Sequence, residues 1–123
     1  MKKTIFIFFL FISSSVLANW TQITRSEQDR FFVDFTSLTK VKNLYRVWEK
    51  LEYGEQSEDK VRSVRMYMEY DCVEKKSRWL AYDAFDDINL SGKKIVRSDR
   101  VSEWKFIRID TIENTIFNSV CKK

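Results

Sequence analysis

Few residues of this sequence are of the types that perform acid–base, nucleophilic or metal chemistry. The 123-residue chain contains no histidine and only two cysteines, which removes the commonest general base and the usual catalytic triads. Two distant cysteines without histidine do not supply the ligands of a zinc site. With only two glycines, the chain has no glycine-rich phosphate-binding motif.

The remaining candidates for catalysis are carboxylates, and three of them, Asp83, Asp86 and Asp87, fall together in the segment YDAFDD. Such a group could act as an acid–base pair or as a calcium site. Calcium loops, however, place oxygen ligands at alternate positions around a glycine, and this segment does not. We interpret it as a solvated turn. The sequence therefore predicts that the protein is not an enzyme and holds no metal or cofactor.

Residues 1–18 have the pattern of a secretory signal peptide. Lys2 and Lys3 precede the apolar run IFIFFLFI, and three serines and then Val16-Leu17-Ala18 follow, with small residues at the positions that a signal peptidase reads. This run is too short for a membrane-spanning helix, which needs about 20 apolar residues. The sequence predicts cleavage after Ala18, export to the periplasm or the cell surface, and one domain over residues 19–123 without a transmembrane segment. No cysteine stands at the cleavage site, so a lipid anchor is not expected.

The two cysteines, Cys72 and Cys121, are expected to form one disulfide, because exported proteins fold in an oxidising compartment. Two free buried thiols are the alternative. The bond would fasten the C-terminal segment to residues 64–85, VRMYMEYDCVEKKSRWLAYDAF, which we interpret as two strands joined by a charged turn.

Charge argues against a nucleic-acid partner. The net charge of +4 falls to +2 without Lys2 and Lys3, and no continuous basic stripe follows the chain as phosphate binding would require. Two basic clusters flank neighbouring predicted strands, and a meander could bring them into one patch. Solubility is the simpler interpretation, and an acidic partner such as a sulfated glycan, a lipid headgroup or an acidic protein segment is the functional one. The residues are Lys75, Lys76, Arg78, Lys93, Lys94 and Arg97.

The four tryptophans, Trp20, Trp48, Trp79 and Trp104, are spread singly along the chain. Aromatic residues at such spacing usually pack in a core or on a sheet face. An exposed recognition face that includes one or two of them is the alternative, since aromatic side chains are enriched at interfaces.

Hydrophobic periodicity predicts an α+β fold, an antiparallel β-sheet meander of about six strands with a C-terminal α-helix pinned by one disulfide. The clearest strand covers residues 61–72, where alternate apolar positions from Val64 to Cys72 face a mostly polar side. Residues 44–53 fit helical and strand spacing, and their aromatic and β-branched content favours a strand. Further strands are predicted over residues 20–23, 31–35, 78–85, 93–98 and 103–109.

Two other segments complete this prediction. Residues 34–43 are polar enough to indicate a connection between strands. After Asp110 or Thr111, which can cap a helix, Ile112, Ile116, Phe117 and Val120 recur at helical spacing and indicate a short amphipathic helix.

Several motifs then occur in a characteristic order: Trp20, FFVD at 31–34, YRVWEKLEY at 45–53, EYDCVEKKSRWL at 69–80, Tyr82-Asp83, Gly92, Trp104 and Cys121. Together they resemble the surface-adhesin protein E family of Gram-negative bacteria over nearly the whole predicted mature chain. The YDC motif with its distant C-terminal cysteine is the most specific part. Two features depart from the family: the lipid-attachment cysteine is absent, and Ile109-Asp110 stands where the family often has Pro-Gly.

The resemblance implies an antiparallel sheet with a C-terminal helix and an exported, non-enzymatic binding protein. It implies partners among host extracellular proteins, namely vitronectin, laminin and plasminogen, and also homodimerisation. Because the lipid-attachment cysteine is absent, a periplasmic inhibitor or accessory protein that uses an exposed loop is the alternative. Apart from the cysteine pair, the resemblance transfers no individual site residue.

Overall fold

A computed structural model describes residues 18–122 of the protein. The predicted signal peptide, residues 1–18, lies outside the described residues except for Ala18. Within residues 18–122, no helix is both long and apolar enough to cross a membrane.

The described residues form seven strands and one helix. The strands pair antiparallel in the order β1-β2-β3-β4-β5-β6, so each joins its neighbour in sequence, and the short β7 pairs with β5. This arrangement confirms the predicted α+β meander with a C-terminal helix. The elements are β1 (Thr21–Arg25), β2 (Arg30–Val41), β3 (Leu44–Glu52), β4 (Ser63–Asp71), β5 (Lys76–Phe85), β6 (Lys94–Ser98), β7 (Lys105–Phe106) and α1 (Ile112–Cys121).

The sheet has two chemically different faces, which the register of β3 and β4 shows. Val47 lies opposite Met68, whereas Trp48 lies opposite Tyr67, and neighbouring residues of a strand point to opposite faces. The face that bears Val47 packs against α1, and we call it the helix face. The opposite face, which bears Trp48 and is not covered by α1, is the open face.

The hydrophobic core lies between the helix face and α1. Val33, Val47 and Tyr70 of the sheet pack against buried side chains of the helix. Thr111 caps the helix in an extended conformation, and its hydroxyl accepts a hydrogen bond from the Asn114 N–H at 3.1 Å. Each fully buried aliphatic side chain contributes roughly 1.5–3 kcal/mol. The predicted apolar stripe is confirmed, since its last three members are the buried helix residues: Ile116, Phe117 and Val120.

The predicted disulfide between Cys72 and Cys121 is also confirmed, with 5.8 Å between the two Cα atoms. Cys72 directly follows β4, and Cys121 is the last residue of α1. The bond therefore fixes the C-terminal end of the helix to the turn between β4 and β5.

Two boundaries predicted from the sequence are wrong. The predicted connection over residues 34–43 is mostly strand, because β2 continues to Val41. Its polar residues form an irregularity in the ladder instead. The Asp34 carboxylate accepts the Thr36 N–H at 3.0 Å, and the Ser37 hydroxyl accepts the Trp48 N–H at 2.9 Å. Pairing with β3 resumes at Thr39.

The predicted strand 103–109 contains only the two residues of β7. Before β7, Ser102 is hydrogen-bonded to the backbone of β5 at Trp79. Its N–H donates to the Trp79 carbonyl at 3.0 Å, and its hydroxyl accepts the Trp79 N–H at 3.1 Å. A serine side chain thus replaces one rung of the ladder.

Candidate functional site

The open face is built around buried carboxylates that are each held between two cations. Glu69 of β4 is fully buried, and the strands on either side place Arg46 and Arg78 directly opposite it. Its two oxygens lie 2.6 Å from Arg46 Nε and 2.7 Å from an Arg78 guanidinium nitrogen. The arginines satisfy a charge that burial would otherwise make costly.

Asp83 of β5 repeats this arrangement, with Arg65 at 2.8 Å and Lys94 at 3.6 Å. Burial acts to raise the pKa of Asp83, but the hydrogen bonds and charges of Arg65 and Lys94 outweigh it and hold that pKa below its ordinary value. The Asp83 carboxylate is therefore ionised at neutral pH.

Glu52 of β3 completes the set, with Arg30 at 3.0 Å and Lys50 at 3.4 Å. In these ion pairs, three carboxylates face six cations. This part of the open face consequently carries an excess of positive charge. The arginines remain partly accessible, and 42% of the Arg65 side chain is exposed.

Aromatic rings lie among these cations. Trp48 and Tyr67 stack with their ring centroids 4.8 Å apart, and the Arg65 guanidinium lies 5.1 Å from the Trp48 ring. Nearer one end of the sheet, the Arg78 guanidinium lies 4.3 Å from the Trp104 ring. Tryptophan, tyrosine and arginine are the residues most enriched at the energetic centres of protein interfaces.

The predicted basic residues lie towards the two ends of β5. Lys76 and Arg78 begin this strand, whereas Lys94 and Arg97 of β6 pair with Phe85 and Asp83 near its other end. A ten-residue strand spans about 30 Å, so the two clusters do not form one compact patch. Lys75 and Lys93 lie in the connections beside β5. A binding role for all six stays a prediction.

The three aspartates of YDAFDD have separate structural roles. Asp83 is paired with cations, as described above. The Asp86 carboxylate accepts the Lys93 N–H at 2.7 Å, and the Asp87 carboxylate accepts the Ile88 N–H at 2.8 Å. Across residues 18–122, no group of three or more acidic or cysteine side chains is arranged to hold a metal ion.

The central residues of the open face are not among the site residues predicted from the sequence. The available signal was the alternation of polar with apolar residues, with Arg46 and Lys50 as polar members in β3 and Arg65 and Glu69 in β4. It shows which side of each strand is polar. It does not show that the polar sides align to bury Glu69 completely, because the register between strands is not encoded in one strand's pattern.

Comparison with known proteins agrees with this fold. The model of the surface-adhesin protein E family matches residues 20–122. No curated protein sequence matches the chain. Crystal form II of Haemophilus influenzae protein E is similar in structure, with a TM-score of 0.67 and 13% sequence identity over 87% of this chain and 90% of that one. Protein E from non-typeable Haemophilus influenzae gives a TM-score of 0.64 and 13% identity over 89% and 79% of the two chains.

Proposed function

Since this chain belongs to the surface-adhesin protein E family, we propose that it is an exported, non-enzymatic adhesin-like protein whose open face binds a host extracellular protein. The single observation that supports this role for the open face is the arrangement of Arg65 against the stacked pair Trp48 and Tyr67. These rings and the partly exposed guanidinium offer flat apolar area and hydrogen-bond donors on a rigid sheet.

The charge of the open face indicates the chemistry of the partner. Its cations outnumber its carboxylates in the ion pairs described above, so a surface with acidic segments is complementary. We propose partners among vitronectin, laminin and plasminogen, as the family resemblance implies. The basic residues of β5 and β6, including Lys76 and Lys94, would extend the contact towards both ends of the sheet.

Binding to purified host proteins tests this proposal. Residues 19–123 are passed over immobilised vitronectin, laminin and plasminogen, and the variant Tyr67→Ser removes one ring of the stacked pair. Asn118→Ala, on the exposed side of α1, is the matched control. We expect the wild type and the control to bind at least one of these proteins, and Tyr67→Ser to bind it at least tenfold more weakly. Equal binding by Tyr67→Ser and wild type would exclude the open face as the binding surface.

Adhesion requires export, which we propose occurs through the signal peptide of residues 1–18 and leaves residues 19–123 as one domain. It also requires display of that domain at the cell surface. Protease added to intact cells should degrade the protein while a periplasmic marker survives. Protection of both proteins would indicate the periplasmic inhibitor or accessory role instead. The mass of the purified protein in solution shows whether it forms the homodimer that the resemblance implies.

A further inference from the structure

A second candidate site lies on the other side of the sheet. A cavity of about 280 Å³ opens between the helix face and the first turns of α1. This volume is near the lower end of the range for small-molecule sites, about 300 Å³. Its walls are mostly apolar, and methionine side chains adapt readily to ligands of different shape. The apolar lining residues are Phe31, Leu51, Met66, Met68, Trp79, Ile112 and Ile116.

Glu49 is the unusual residue of this cavity. It lines the cavity, its side chain is buried with 5% of the residue exposed, and one of its oxygens accepts a hydrogen bond from the Tyr70 hydroxyl. The buried carboxylates of the open face, Glu52, Glu69 and Asp83, each have two cations. No ion pair within residues 18–122 involves Glu49.

Burial raises the pKa of the Glu49 carboxyl to about 8, although the hydrogen bond from Tyr70 acts to lower it. Burial also raises the pKa of Tyr70, and the nearby Glu49 and Glu113 add to that effect. At neutral pH the carboxyl is therefore mostly protonated. The ionised form of Glu49 has no counter-charge, and the cavity has room for a ligand that carries one.

The other ionisable groups around the cavity do not supply that charge. They are Tyr70 of β4, Arg78 of β5, Lys105 of β7 and Glu113 of α1. The Arg78 guanidinium pairs with Glu69 on the open face, and the Lys105 ammonium lies 5.2 Å from the Trp79 ring. Glu113 adds a second carboxyl from the helix side, and Lys105 is the cation of the lining that no ion pair in the described part of the chain neutralises. The preference for a cationic ligand therefore depends on Glu49 itself, the buried carboxyl of the cavity that has no cation partner among the ion pairs of residues 18–122.

We propose that this cavity binds a small amphiphile that has an apolar body and one primary ammonium group, and that the ammonium pairs with the Glu49 carboxylate. The apolar body fills the space between Met66, Met68 and Ile116. This site is distinct from the host-protein surface proposed above, because Glu49 and the apolar lining belong to the opposite face of the sheet. Arg78 is the residue that the two sites share.

Pairing of the ligand ammonium with the Glu49 carboxylate releases a proton that can be measured. An alkylamine is protonated below about pH 10, as lysine is, so it arrives as a cation. The neutral Glu49 carboxyl must release its proton to solvent when the ammonium binds. Below pH 8 the ionised fraction falls about tenfold per pH unit, and the apparent affinity falls with it. A neutral alcohol of equal length has no such dependence.

The experiment compares octylamine, 1-octanol and octanoate by titration calorimetry on residues 19–123. We expect octylamine to bind best at pH 8, to bind about tenfold more weakly at pH 6 than at pH 7, and to release protons in an amount that buffers of different ionisation enthalpy reveal. Glu49→Gln should abolish the preference for octylamine over octanol. Glu55→Gln, an exposed carboxyl in the loop after β3, should retain it.

Three outcomes would overturn the proposal. The wild type could bind octylamine and octanol with equal affinity, Glu49→Gln could keep the preference for the amine, or Glu49→Gln and Glu55→Gln could lose that preference equally. If Glu49→Gln does not fold, proton release by the wild type decides, and its absence refutes pairing with Glu49. Loss of octylamine binding leaves host-protein binding unaffected, so the two proposals fail separately.

Discussion

At the scale of single residues, the sheet contains two buried glutamates, Glu69 and Glu49, with different partners. Glu69 is fully buried, and Arg46 and Arg78 each form an ion pair with it. Glu49 is buried on the other face with a tyrosine hydroxyl instead of cations, and its pKa rises to about 8. Val33 and Met66 lie opposite Glu49 on the neighbouring strands, so burial raises its pKa with no cation beside it to oppose the shift.

Glu49 should make the stability of the protein fall as the pH rises. The folded state keeps the Glu49 proton until about pH 8, whereas the unfolded chain releases it near the ordinary pKa of 4.5. The native state then binds more protons, so the free energy of unfolding decreases between these values, by as much as about 5 kcal/mol. The absence of histidine leaves few other groups that titrate there.

Urea unfolding at pH 5, 6.5 and 8 measures this effect. Glu49→Gln should flatten the dependence, because glutamine has no proton to keep, and Glu55→Gln should leave it unchanged. Parallel curves for wild type and Glu49→Gln would show that Glu49 is ionised in the folded protein.

The pKa shift of Asp83 has the opposite sign and the opposite effect on stability. Its lowered pKa stabilises the folded state above the ordinary pKa of the group, and this stabilisation is lost as the pH falls through the lowered value.

At the scale of elements, the loop between β5 and β6 depends on Gly92. This residue has a φ of +77°, and a Cβ atom there would lie 2.2 Å from Asp86 Oδ1. That same oxygen accepts the Lys93 N–H at 2.7 Å, so it cannot move without losing the bond. Gly92 is therefore required both for its backbone conformation and for space.

Gly92→Ala should lower the free energy of unfolding by about 1–3 kcal/mol, as measured by urea denaturation. Asn89→Gly is the matched control in the same loop. Asn89 has a φ of 57°, and its N–H bond to Glu52 does not need the side chain, so this change should be nearly neutral. A neutral Gly92→Ala would mean that the loop readily adopts another conformation.

The elements themselves could be predicted from the sequence where their periodicity was strong. Residues 61–72 alternate clearly, and β4 occupies most of that range. The prediction failed for residues 34–43, because polar side chains can stay in a strand when they bond to nearby backbone groups, as Asp34 does to the Thr36 N–H. The candidate site was harder to predict, since Glu69 and its arginines come together only through strand register.

At the scale of the whole molecule, α1 and the disulfide hold the two layers together. The helix contributes Ile116, Phe117 and Val120 to the core, and Cys121 fixes its last turn to Cys72. The bond joins residues that are 49 positions apart. It therefore restricts a long loop of the unfolded chain.

Replacing both cysteines by serine should lower the free energy of unfolding by about 2–4 kcal/mol. The strands pair with their sequence neighbours, so we expect the far-ultraviolet circular dichroism of the variant to keep its β-sheet signal at low denaturant. Wild type treated with a reductant is the control and should match the variant. An unchanged midpoint of urea unfolding would show that helix packing alone holds the two layers.

Because each strand from β1 to β6 pairs with its neighbour in sequence, parts of the sheet can form before α1 packs against it. No connection between successive strands from β1 to β6 is longer than residues 53–62, so β-hairpins can form early at little entropic cost. The core, however, stays open until α1 arrives from the far end of the chain. We therefore expect Val33, Val47 and Tyr70 to remain accessible to water until α1 docks, which is the stage at which aggregation would compete with folding.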